Sequence, residues 1–122
     1  MIQEILATAL GGAIGAVLRM LLSMQVMGWT KWNFPAGILI VNWLGCFLIG
    51  WFAAMMLRGS LSPVARAFWM LGICGGFTTF SSFSLDTWQL FMQHRQLAGL
   101  LNCLLQLVGG VGLTALGLMA GA

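Results

Sequence analysis

The chain has 122 residues, of which 61% are hydrophobic and 6% charged, with a formal net charge of +3. An average soluble domain carries about 25% charged residues, so this composition excludes a soluble globule, and a mean hydropathy of +1.01 places the chain in a bilayer. With one His and two acidic side chains in all, no acid–base pair or metal cluster is on hand for an enzyme.

Four apolar stretches, residues 5–27, 35–57, 66–92 and 97–119, are each long enough to cross a hydrocarbon core, which takes about 20 residues. The expectation is an all-α membrane protein of one domain, 1–122, with four transmembrane helices. The first stretch carries Glu4 where a signal peptide has a basic segment, and it is longer than a signal peptide's apolar core, so it is expected to be retained as a span. Gly12, Gly15 and Arg19 fall on one stripe of it. An arginine near a helix centre costs about 2.5–3.5 kcal/mol to insert, and neither Glu4 nor Asp86 lies deep enough to pair with it. Unless Arg19 snorkels to the interface, it faces a cavity or a partner, and an unpaired wet cation at that depth suits an anion route.

In the second span Asn42, Gly45, Cys46 and Ile49 share a face. The Asn42 amide can donate to an anion or serve as glue between helices. The third span contains the most informative run, Gly75-Gly76-Phe77-Thr78-Thr79-Phe80-Ser81-Ser82-Phe83. A helix is interrupted at membrane depth only where protein or a water-filled cavity receives the freed backbone groups, so a break over 75–78 points to a pathway or an ion site. If helix resumes after Thr78, Phe80 and Phe83 fall on one face, followed by Ser84 and Thr87. A phenylalanine ring has a negative face and a positive edge, so inward edges can receive a small anion, although an aromatic pair at helical spacing also suits ordinary packing. Thr78, Thr79, Ser81 and Ser82 add hydroxyl donors, and the resumed helix adds free N–H groups. The fourth span carries Asn102, Gln106, Gly110 and Thr114 at successive i+4 steps, which fits either a polar track or a tight helix contact.

Cys46, Cys74 and Cys103 lie inside spans and act as small apolar residues. Gly11 with Gly15, Gly72 with Gly76, and Gly117 with Gly121 have the GxxxG spacing that lets helices approach closely, and so small a membrane protein is expected to associate. Four spans put both termini with Arg58 and Arg66 on one side, and Lys31 with Arg95 on the other. Orientation follows the Lys and Arg bias of the loops. A tie predicts insertion both ways and an antiparallel dual-topology homodimer, unless one loop dominates.

The segments GGFTTFSSFSLD at 75–86, GGAIGAVLR at 11–19 and VNWLGCFLIG at 41–50 resemble the signature segments of the Fluc (CrcB) fluoride channels, in the same order and over the same four-helix length. The resemblance implies a multi-pass protein of the bacterial inner membrane that exports fluoride passively and confers fluoride resistance, built as an antiparallel homodimer with two pores. It implies that Phe80 and Phe83 are the pore phenylalanines, Asn42 a pore-lining donor and Arg19 the cation of the aqueous approach. Ser81, Ser82, Gln106 and Thr114 are the further expected pore residues. It also implies a structural sodium ion at the dimer centre, held by the backbone carbonyls of Gly75 and Thr78. Expected partners are fluoride, a second copy of the chain and the bilayer, with no nucleic acid. Asp86 stands where the family usually has glutamate, and Gly110 where relatives carry a hydroxyl. The alternative is a small multidrug-resistance-like dual-topology transporter, which needs an acidic residue deep in a span.

Overall fold

The computed structural model describes residues 1–31 and 33–122; Trp32, in the loop read between the first two spans, lies outside the described residues. Among the described residues four helices are long and apolar enough to cross a membrane: α1 (Ile2–Trp29), α2 (Ala36–Leu57), α3 (Pro63–Met92, interrupted) and α4 (Gln96–Gly121). Each begins or ends within a few residues of the hydropathy boundary. At the start of α3 the Ser62 hydroxyl accepts a hydrogen bond from the Ala65 N–H at 3.1 Å and Pro63 takes the first helical position, a combination that starts helices ahead of the apolar run.

α1 lies along the first half of α3, and α2 along the second half of α4. Glycine makes both approaches possible. Gly11 and Gly15 of α1 back onto Gly72, Ile73 and Gly76 of α3, so that a Cβ on Gly76 would run into the carbonyl of Gly12. Gly50 meets the Thr114 carbonyl, and Gly117 meets the Phe47 carbonyl, in the same way. All three GxxxG pairs are therefore spent inside the protomer, and none is left as a free contact for a second chain. Spacing alone cannot distinguish the two uses.

Both termini and the 58–66 loop lie at one end of the bundle, where Glu4 and Arg66 border one groove. Asn33, Phe34, Gln93 and Arg95 meet at the other. The two-against-two distribution of loop charge survives folding.

Among the described residues two segments of the helices are π-helical, Ala67–Cys74 in α3 and Leu105–Gly109 in α4. Neither was expected from hydropathy. The second has a geometric consequence. With 3.6 residues per turn an i+4 step overshoots by about 40°, so the stripe Asn102, Gln106, Gly110, Thr114 would wind away around a regular helix. A wider π turn, closed by i→i+5 bonds, unwinds the helix and brings the stripe back toward one line. Asn102, Gln106 and Gly110 are all buried and Thr114 is half-buried.

Candidate functional site

The interruption of α3 falls at Thr78 and Thr79, whose backbones are extended (φ −83°, ψ 155° and φ −150°, ψ 117°). Gly75 and Gly76, expected inside the break, are helical. Gly76 serves the close approach to Gly12 of α1, and two β-branched threonines, which favour extended backbone, form the break itself. Helix resumes at Phe80 with Thr79 as its N-cap, the hydroxyl accepting from the Ser82 N–H at 3.1 Å. The interruption sits close to the middle of α1 and α2: Gly15 meets Phe77 just before it, and at Gly45 the Thr78 methyl fills the space a Cβ would need.

Asn42 closes this gap. Its Nδ2 donates to the Thr79 carbonyl at 3.1 Å and to Gln106 Oε1 at 3.0 Å, while its Oδ1 accepts from the Thr79 N–H at 2.8 Å. One amide thus satisfies both backbone groups of an extended residue and ties α2, α3 and α4 together. Among the described residues the Gln106 Nε2 is left buried with no protein partner, and the whole side chain is 8% exposed. A buried donor without an acceptor is costly, which makes this atom the available hydrogen-bond donor of the cluster.

These groups line one groove of about 330 Å³, with Asn42, Thr78, Thr79, Phe80, Phe83 and Gln106 among its walls. Phe80 and Phe83 lie edge to face, ring centroids 5.4 Å apart at 80°. They differ sharply in burial. Phe83 is 8% exposed, whereas Phe80 is 75% exposed and projects from the protomer. Phe83 is also anchored from behind, since Asn102 Nδ2 donates to Thr87 Oγ1 at 3.0 Å and that hydroxyl donates to the Phe83 carbonyl at 2.9 Å.

Of the residues expected from the sequence, the fold brings Asn42, Phe80, Phe83, Gln106, Gly75 and Thr78 to this groove. Ser81 and Ser82 lie beside it in the N-cap, their hydroxyls 3.1 and 3.2 Å from Thr79 Oγ1. Thr114 lies two turns beyond Gln106 and donates to the Gly110 carbonyl at 3.0 Å. Arg19 is half-buried on α1 and is not on the groove wall. The roles of Thr79, Trp43 and Thr87 as organisers were not visible in the sequence, because each depends on a partner from another segment or another turn.

Backbone bookkeeping at the break also bears on a cation. In an unbroken helix the Thr79 N–H would bond the Gly75 carbonyl and the Ser82 N–H the Thr78 carbonyl. Both donors are diverted to side chains, to Asn42 Oδ1 and to Thr79 Oγ1. The carbonyls of Gly75 and Thr78 are thereby released from the helix ladder, and Gly75 is exposed on the protomer surface. Oxygen donors of this kind fit a hard cation.

A multi-pass membrane protein with an interrupted helix, an aromatic pair and an unpaired amide at the interruption belongs to the channel and transporter class. Residues 6–118 match the family model described as "CrcB-like protein, Camphor Resistance (CrcB)". A protein of Methanococcus maripaludis named fluoride-specific ion channel FluC is 42% identical, over 97% of this chain and 95% of its own length. Proteins of the same name from Nitrobacter winogradskyi and Aquifex aeolicus are 43% and 41% identical, each over 96% of this chain and over 90% and 95% of their own lengths. The chain belongs to the CrcB family.

Proposed function

We propose that this chain is a fluoride-selective channel, not an enzyme, and that it lets fluoride leave the cell passively across the inner membrane. One observation carries the reading: the groove joins the edge-to-face pair Phe80 and Phe83 to the buried, unpartnered Gln106 Nε2 at the interruption of α3, in a chain whose relatives bear the name of fluoride channels. Ring edges and amide N–H groups attract a small hard anion without the grip of a full charge. The break lies level with the middles of α1 and α2, which supports a position deep in the membrane, where such donors would replace lost hydration.

The working unit is an antiparallel homodimer. Phe80, three-quarters exposed on one protomer, gains its second wall from the partner copy, and the tied loop charges allow both orientations to be made. Adding two lysines to the 58–66 loop is expected to drive that end into the cytoplasm and deplete the antiparallel pair. Reporters fused to the C-terminus of the unmodified chain are expected to be active in both compartments. A signal from one compartment alone would reject dual topology.

The released carbonyls of Gly75 and Thr78 would hold a structural sodium ion between the two copies. Such an ion would supply positive charge that fixes the two interruptions in register, and it would not travel with fluoride. Prolonged removal of sodium from the purified protein is expected to abolish fluoride flux slowly, and its return to restore it. Indifference to sodium removal would reject the site.

The transporter alternative needs a carboxylate at mid-span, whereas Asp86 borders the loop-end groove with Asn33 and Arg95. Glu4 lies in the first turn of α1, 3.9 Å from the terminal ammonium group, too close to the helix end to serve as a mid-span binding carboxylate. The functional reading is tested in cells: expression in a bacterium stripped of its own fluoride exporter is expected to restore growth on fluoride, and no restoration by well-expressed protein would contradict it.

A further inference from the structure

Gln106 borders the groove from within a π turn, and the same turn is held from outside by Trp43. The Trp43 Nε1–H donates to the Leu105 carbonyl at 2.8 Å. Its ring lies against Gly109, where an added Cβ would come within 2.7 Å of indole Cε2 and Nε1. Leu105 and Gly109 are the first and last residues of the π turn. The indole therefore spans it end to end. Asn42, the preceding residue on α2, holds Gln106 Oε1 at 3.0 Å and so turns Nε2 away from itself. Two adjacent side chains of α2 grip one turn of α4, one by its backbone and one by its side chain.

We infer that Trp43 is a positioning residue for permeation: by clamping the π turn Leu105–Gly109 it aims the free Gln106 Nε2 at the anion in the aromatic groove. This rests on the fluoride reading above and adds a residue to it. Several features fit. A π turn inside an α-helix forfeits regular hydrogen bonding and persists where the surroundings hold it. An indole is the apolar side chain that fills such a gap and still supplies a donor. The groove itself does not include Trp43, so its influence on the anion must pass through Gln106.

The test is a pair of substitutions measured alone and together in liposomes. Trp43→Phe keeps a ring over Gly109 and removes the N–H. It is expected to lower fluoride flux roughly fivefold, the order that one neutral hydrogen bond supplies, with the protein still dimeric by size exclusion. In a Gln106→Asn background, where the shorter amide no longer reaches the same point, Trp43→Phe is expected to change flux less than twofold. An equal fivefold loss in both backgrounds would make Trp43 a packing residue only and overturn the inference, as would unchanged flux in Trp43→Phe alone. Absence of fluoride flux in the unmodified protein would instead reject the channel reading and this inference with it.

Discussion

Phe80→Ile is expected to lower fluoride efflux about tenfold or more while leaving the yield and dimerisation of the protein unchanged. Isoleucine keeps apolar bulk but has no positive edge to offer an anion. Because Phe80 is 75% exposed on the protomer, few contacts within the protomer are lost, so its loss of flux cannot be charged to unfolding. Phe83→Ile is expected to lower flux as far, with an added loss of about 1–2 kcal/mol in stability, because that ring is 8% exposed and its replacement changes shape in a packed core. Flux and thermal stability measured on both variants separate the two effects. Full flux in both would show that the rings are packing elements.

A larger effect is expected at Asn42. Replacing it by Leu leaves the Thr79 N–H, the Thr79 carbonyl and Gln106 Oε1 without the partners they have at 2.8, 3.1 and 3.0 Å. Each orphaned buried group costs about 1–3 kcal/mol, which exceeds what one aromatic edge supplies. Flux is expected to fall to background, and hydrogen exchange at the Thr79 amide to accelerate by about tenfold or more, since local opening sets that rate. Ile49→Leu, on the same face and the same groove wall, is expected to retain both properties. An Asn42→Leu protein with normal flux and normal Thr79 exchange would contradict its place as the keystone of the break.

The four spans and the position of the aromatic pair were legible in the sequence because each is a local property. Hydropathy sums over about 20 neighbours, and Phe80 and Phe83 are three residues apart on one resumed helix. What could not be read was decided by distant partners. Asn42 meets Thr79 and Gln106 across 37 and 64 residues, so nothing local shows that its amide is occupied by the fold and that Gln106 keeps the free donor. Gly75 and Gly76 looked like breakers because glycine weakens helices in water; both remain helical, and Gly76 is packed against Gly12 of α1. The π turns were invisible for a similar reason, since they depend on contacts such as that of Trp43 with the turn it spans.

The central claim, that the groove at the interruption passes fluoride and rejects larger anions, is tested most directly with purified protein in liposomes loaded with potassium fluoride or potassium chloride. With valinomycin carrying the potassium, rapid loss of fluoride without loss of chloride is the predicted result. Equal loss of both anions, or retention of fluoride by liposomes that demonstrably contain the dimer, would contradict it.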